Sequence, residues 1–179
     1  MDRHSTSRRR SRASRRLVAL AGLIGGLIAT QAAAATYYLS PNGNDGNSGS
    51  STNPWATINK ANSALRGGDV CIILPGTYSG TINPSSNGTA SARITYVGSL
   101  SNPAGTSVGG IDISRAYVTV KGVKANGTAV VQYFSESQAA RYDSIAYCIV
   151  GGLGIRGAKN CMIGRNTVNG SVAFVEVST

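Results

Sequence analysis

Short apolar runs broken by Gly, Asn, Pro or Ser recur along most of the chain. Thr36-Tyr37-Tyr38-Leu39-Ser40 predicts a first strand, ended by Pro41-Asn42-Gly43 and a loop of Asn, Asp, Gly and Ser that runs to Pro54. From Trp55 to Leu65 the period changes. Trp55, Ile58, Ala61 and Leu65 fall at helical spacing, and Arg66-Gly67-Gly68 supplies a basic last turn and a glycine stop. Asp69 to Leu74 reads as a strand apolar enough for burial on both faces, and Pro75-Gly76-Thr77-Tyr78 turns the chain away. Ile94-Thr95-Tyr96-Val97 and Val118-Thr119-Val120 continue the series of strands.

The second half carries an internal repeat. Val118–Gly127, Asp143–Gly152 and Cys161–Gly170 can be laid over one another, with Val120, Ile145 and Ile163 at the third position and Ala125, Val150 and Val168 at the eighth. A short apolar run follows each: Ala129-Val130-Val131, Leu153-Gly154-Ile155 and Val172-Ala173-Phe174. One such unit cannot bury its own apolar face. Stacked units can, each closing the one below through parallel hydrogen bonds and an inward column of Val, Ile and Ala. The open end of a stack exposes strand edges, and the one-sided helix from Trp55 to Leu65 is the expected cover. The fold class expected is therefore all-β, a parallel β-helix (solenoid) with an N-terminal capping α-helix.

Composition and charge change the functional picture. The chain has a formal net charge of +10, which at first points to nucleic acid or a membrane surface. Seven arginines lie in residues 1–35, however, and removing that stretch leaves ten basic and six acidic residues. An Arg-rich start, an apolar run from Leu17 to Ala29 and a small-residue end, Ala32-Ala33-Ala34-Ala35, are the three parts of an export signal, cleaved near Ala35. The apolar run is short of the ~20 residues that span a bilayer, so no stable membrane span is expected after cleavage. The Ser14-Arg15-Arg16-Leu17 segment leaves the export route open between the general and the twin-arginine pathway. Localisation is expected to be secreted, extracellular or periplasmic, with no nucleic-acid partner.

The only histidine, His4, leaves with the signal, so imidazole bases, Ser-His-Asp triads and His-ligated zinc are excluded from the exported chain. Cys71, Cys148 and Cys161 each sit in an apolar run and read as three small buried side chains. A Cys148–Cys161 bridge is the alternative, and metal binding comes after both.

The segment from Thr36 to Ile82 is also similar to the opening of exported right-handed parallel β-helix proteins of the pectate-lyase-like superfamily. The resemblance rests on Ser40-Pro41-Asn42-Gly43, Pro54-Trp55-Ala56-Thr57-Ile58, Gly68-Asp69-Val70 and Pro75-Gly76-Thr77-Tyr78. It implies a signal peptide over 1–35 and a β-helix domain over 36–179, with its cap over 36–76 and its coils over 77–179. Against that pattern the chain reads as truncated at its C-terminus. The resemblance further implies lyase-type action on an acidic polysaccharide, or, without catalysis, a carbohydrate-binding β-helix module at the cell surface or outside it. It makes calcium the cofactor to look for, but the acids are scattered and no calcium site or catalytic residue carries over.

The repeat does nominate a surface. Its fifth positions are Gly122, Tyr147 and Arg165, so Tyr147 and Arg165 are expected about 4.8 Å apart on neighbouring rungs, as an aromatic face beside a guanidinium suited to a sugar and its carboxylate. Lys121 and Lys124, one rung back, extend a basic strip or simply solvate the surface. A Tyr packed on an Arg stem is the competing reading of the first pair.

Overall fold

The computed structural model describes residues 33–132 and 142–175. The segment expected to be an export signal, residues 1–35, lies outside them except for Ala33 to Ala35. Among the described residues the chain is mostly β, with parallel strands in curled sheets and a single short α-helix. In order, the elements are β1 (Thr36–Leu39), α1 (Ile58–Ala64), β2 (Val70–Ile73), β3 (Gly76–Thr77), β4 (Thr81–Ile82), β5 (Ile94–Val97), β6 (Thr106–Val108) and β7 (Gly110–Ile113). There follow β8 (Val118–Lys121), β9 (Lys124–Gln132), β10 (Ser144–Ala146), β11 (Ile149–Arg156), β12 (Met162–Gly164), β13 (Thr167–Val168) and β14 (Val172–Val175).

The chain shuttles between two parallel sheets. One has the order β1-β2-β5-β8-β10-β12; the other runs β13-β11-β9-β6-β3, with β14 on β11 and with β4 on β7, which joins β9. The register stacks like on like. Cys71, Tyr96, Val120, Ile145 and Ile163 form one inward column, and Val108, Ala125, Val150 and Val168 another. Ile82, Ile111, Ala129 and Leu153 form a third. Most of these side chains are fully buried, and each large one contributes about 1.5–3 kcal/mol of hydrophobic stabilisation that no single rung could secure. At the far end of the stack Met162, Val172 and Phe174 are exposed.

The repeat alignment holds at its third and eighth positions and slips at its tenth. Between Val150 and Gly152 the register shifts, so that Gly152 lies beside Thr128 rather than Gly127. One residue, Gly151, then faces Asn126-Gly127 on one side and Asn169-Gly170 on the other. The bend brings backbones close: a Cβ on Gly109 or Gly170 would sit 2.2 Å from the carbonyl oxygen of the neighbouring rung.

Polar side chains at the turns tie each rung to the one before it. Asp69 Oδ1 accepts from the Ala35 N–H at 3.0 Å, Asp143 Oδ1 from the Val118 N–H at 2.7 Å, and Asn166 Oδ1 from the Cys148 N–H at 2.9 Å. These amides begin strands and would otherwise lack a ladder partner.

Three expectations need correction. The helix starts at Ile58, not Trp55, because Trp55 is held in a bridge to Leu39 and the extended Thr57 caps the helix by accepting from the Lys60 N–H at 3.1 Å. It ends at Ala64 with Leu65 extended, where Arg66 Nη1 donates to the carbonyls of Ser63, Ala64 and Leu65. β2 is fully buried on one face only. Cys148 and Cys161 are free thiols, and Cys161 is only half-buried. The register explains the missing bridge: Cys161 stacks next to Asp143, five residues before Cys148, which is on the order of 16 Å along a strand.

Candidate functional site

Each strand of the first sheet's second half is bracketed by two left-handed corners. Before the strands stand Tyr117 (φ 58°), Tyr142 (φ 55°) and Asn160 (φ 55°); after them stand Gly122 (φ 70°), Tyr147 (φ 54°) and Arg165 (φ 57°). Gly or Asn adopts this backbone readily, whereas an L-residue with a bulky side chain costs roughly 1–2 kcal/mol there. Three tyrosines and an arginine nevertheless hold such corners. Strain of this kind persists only where the surrounding structure over-determines it, and it clusters at functional sites.

The side chains pair along the stack. Tyr117 and Tyr142 are stacked, with centroids 5.1 Å apart and planes 12° from parallel. On the opposite corner Arg165 Nη1 donates to the Tyr147 hydroxyl at 2.7 Å, and its guanidinium carbon lies 5.4 Å from the ring centroid. Tyr147 is 37% exposed. The pair lines a shallow cleft of about 230 Å³ together with Leu100, Pro103, Cys148, Ile149 and Thr167. The structure thus brings Tyr147 and Arg165 together, partly satisfying each with the other. Lys121 stacks on Ala146 and Lys124 on Ile149, so the two lysines flank the Gly122 corner one rung away without lining that cleft.

A second and larger cleft, about 400 Å³, opens at the other corner. It is lined by Arg93, Thr119, Tyr142, Asp143, Ser144, Asn160 and Met162. Arg93 is anchored, with Nε donating to Thr119 Oγ1 at 2.8 Å and Nη2 to the Val118 carbonyl at 2.9 Å. Asp143 is 1% exposed. Burial pushes its carboxyl up to about 7, against the opposing pull of the Val118 N–H, Arg93 and Cys161. The Cys161 thiol, 3.9 Å from Asp143 Oδ2, is raised by burial to about 11. Sequence reasoning missed this cleft. The available signal was Asp143 itself, a lone acid heading a repeat whose other copies begin with Val118 and Cys161.

The acids among the described residues do not fit a calcium ion. Asp45 accepts from the N–H groups of Ala56 and Thr57 and from the Thr57 hydroxyl, Asp69 from the N–H groups of Ala35 and Arg66, and Asp112 from Gln132 Nε2. Each carboxylate is committed to its own local structure. Among the described residues no three Asp, Glu, His or Cys side chains converge, whereas calcium takes six to eight oxygen ligands.

No protein-family model matches the sequence. No curated protein matches it either. Among solved structures, a rhamnogalacturonan lyase is similar at a TM-score of 0.40 and 19% identity, over 76% of this chain. The match spans 43% of that lyase's length. A likeness of this strength assigns neither a family nor an activity.

Proposed function

We propose that the chain is an exported right-handed parallel β-helix protein of the pectate-lyase-like type that binds acidic polysaccharide on the outer face of its coils. The N-terminal segment that ends near Ala35 would direct export, and α1 would close the first coil. The observation that carries this reading is the Tyr147–Arg165 pair, a part-exposed aromatic ring and a guanidinium on neighbouring rungs at left-handed corners. A sugar ring packs on the aromatic face, and its carboxylate takes the guanidinium donors not used by the Tyr147 hydroxyl. Lys121 and Lys124 add positive charge one rung away and favour an anionic chain over a neutral one. Lyase-type cleavage would need a base and a neutralising group around a reacting carbon, and the geometry supports the binding half of that chemistry.

Affinity electrophoresis through gels holding polygalacturonate or neutral dextran tests the proposal. Polygalacturonate should retard the wild-type protein, dextran should not, and Tyr147→Gly with Arg165→Gln should abolish most of the retardation. Equal mobility in both gels would overturn the reading. An unsaturated-uronate absorbance that grows on incubation would add catalysis to binding.

A further inference from the structure

Arg93 and Asp143 both line the larger cleft, Asp143 almost wholly buried at its edge and without a direct ion pair to Arg93, and neither belongs to the Tyr147–Arg165 pair. The Arg93 fork is held rigid by Thr119 and the Val118 carbonyl, while its Nη1 has no hydrogen-bond partner among the described residues. An anchored guanidinium with an unused edge suits a carboxylate, since the fork is pre-organised and little side-chain freedom is lost on binding. Tyr142 supplies an aromatic ring, itself backed by Tyr117, and Ser144 and Asn160 supply hydroxyl and amide groups. Roughly 16 Å of strand separates the Tyr142 corner from the Tyr147 corner at most, with the small outward residue Ala146 between them.

We propose that the Arg93 cleft is a second subsite for the carboxylate of an acidic sugar, gated by Asp143. With Asp143 neutral, the Arg93 charge is available to the ligand. With Asp143 ionised, its buried charge partly offsets that of Arg93 and opposes the incoming carboxylate. The inference rests on the reading of the ligand as an acidic glycan and assigns its regulation by pH. Among the described residues, the ionisable groups around Asp143 are Arg93, Cys161, Tyr142 with Tyr117 stacked on it, and Lys159 in the turn before β12, whose carbonyl accepts from Tyr142 N–H. Cys161, raised to about 11, stays a thiol across the working range. Asp143, at about 7, does not stay in one form.

Calorimetric titration with an oligogalacturonate at pH 5.5 and pH 8.5 tests this, with Asp143→Asn and Arg93→Lys alongside the wild type. The wild type should bind about five-fold or more tightly at the lower pH, the low end of ordinary coupling between sites. Asp143→Asn should bind nearly equally at both, and Arg93→Lys should weaken binding at pH 5.5. A carboxyl ¹³C titration of the wild type needs no variant: saturating oligogalacturonate should raise the Asp143 midpoint by the logarithm of the same affinity ratio, because the coupling is reciprocal. An Asp143 midpoint unmoved by ligand, with pH-independent affinity that still falls in Arg165→Gln, would overturn the gated subsite and leave the polysaccharide reading intact. No binding to wild type at either pH would overturn both.

Discussion

Replacing Asp143 with Asn should make the protein more stable at neutral and alkaline pH, and the size of the gain follows from where the carboxyl sits. In the folded chain its midpoint is about 7, against an ordinary value of 3.8. The folded state therefore binds the proton more tightly than the unfolded state does. Stability is highest below about pH 4, where both states are protonated, and declines through the window from about 4 to 7. Above 7 the loss is complete and constant. A gap of about three pH units, at 1.36 kcal/mol each, makes the loss roughly 4 kcal/mol, a sizeable part of the 5–15 kcal/mol that holds a typical domain together. Asn keeps an oxygen for the Val118 N–H, 2.7 Å away in the native chain, and carries no charge at any pH.

Equilibrium unfolding in urea from pH 4.5 to 8.5 measures this. Wild type and Asp143→Asn should agree to about 1 kcal/mol at the acid end. They should part steadily as pH rises, until the variant's midpoint lies higher by about 2 M for an ordinary denaturant slope. Asp45 cannot produce the same trend. Its slight desolvation is outweighed by the Thr57 hydroxyl, the Ala56 and Thr57 N–H groups and Lys60, which hold its carboxyl below the ordinary value of 3.8. Its contribution is present above 3.8 and is lost only as pH falls below that. Two parallel stability curves, or a wild type that gains stability between pH 5 and 8, would refute the account of Asp143.

Asn62 joins α1 to the first rungs, its amide donating to the Thr81 carbonyl at 2.8 Å while its oxygen accepts from Asn83 N–H and the buried Tyr96 hydroxyl. Asn62→Leu should cost about 3 kcal/mol or more by thermal denaturation and Tyr96→Phe about 1, since only the first strands several buried polar groups; the reverse order would sink the reading. Gly122 and Tyr147 occupy the same corner on neighbouring rungs, but a Cβ on Gly122 would stand 2.8 Å from the Ser99 carbonyl carbon. Gly122→Ala should therefore destabilise by more than the roughly 1–2 kcal/mol of left-handed strain alone, whereas Tyr147→Gly, which relieves that strain, should stay within about 1 kcal/mol of wild type while losing polygalacturonate binding. Ala35 belongs to the first rung, its N–H bonding to Asp69 Oδ1 and its carbonyl accepting from Val70 N–H at 2.9 Å. If the chain is exported as proposed, its mature form should therefore begin at or before Ala35, as cleavage between Ala34 and Ala35 would leave it; an intact mass starting at Thr36 would contradict that.

The column residues could be read from the sequence because they obey a purely local rule. A side chain pointing inward must be apolar on every rung, so Val120, Ile145 and Ile163, or Ala125, Val150 and Val168, announce their stacking by equal position in the repeat. The slip at Gly151 could not be read, since a bulge changes how many residues span the bend without changing which ones are apolar. The helix start failed for a similar reason. Trp55 fits the helical period, yet its backbone is claimed by β1, with its N–H on the Tyr38 carbonyl at 2.9 Å, and its ring stacks on Tyr37.

The two clefts divide along the same line. Tyr147 and Arg165 were legible as a pair because the repeat puts both at its fifth position, and adjacency along a stack follows from that. The Arg93 cleft joins residues that no repeat position relates. Arg93 precedes β5, Thr119 belongs to β8, and Asp143 heads β10, three rungs whose outer surfaces meet only when the sheet is assembled. Asp143 shares its column with Asp69, and both depart from the apolar stacking rule to accept the N–H of the preceding rung, a task that a neutral Asn could also perform at Asp143. With its carboxyl raised to about 7 by burial, Asp143 is a group at this cleft whose charge changes near neutral pH, and the Arg93 edge lining the same cleft is where the proposed coupling to a ligand can be exercised.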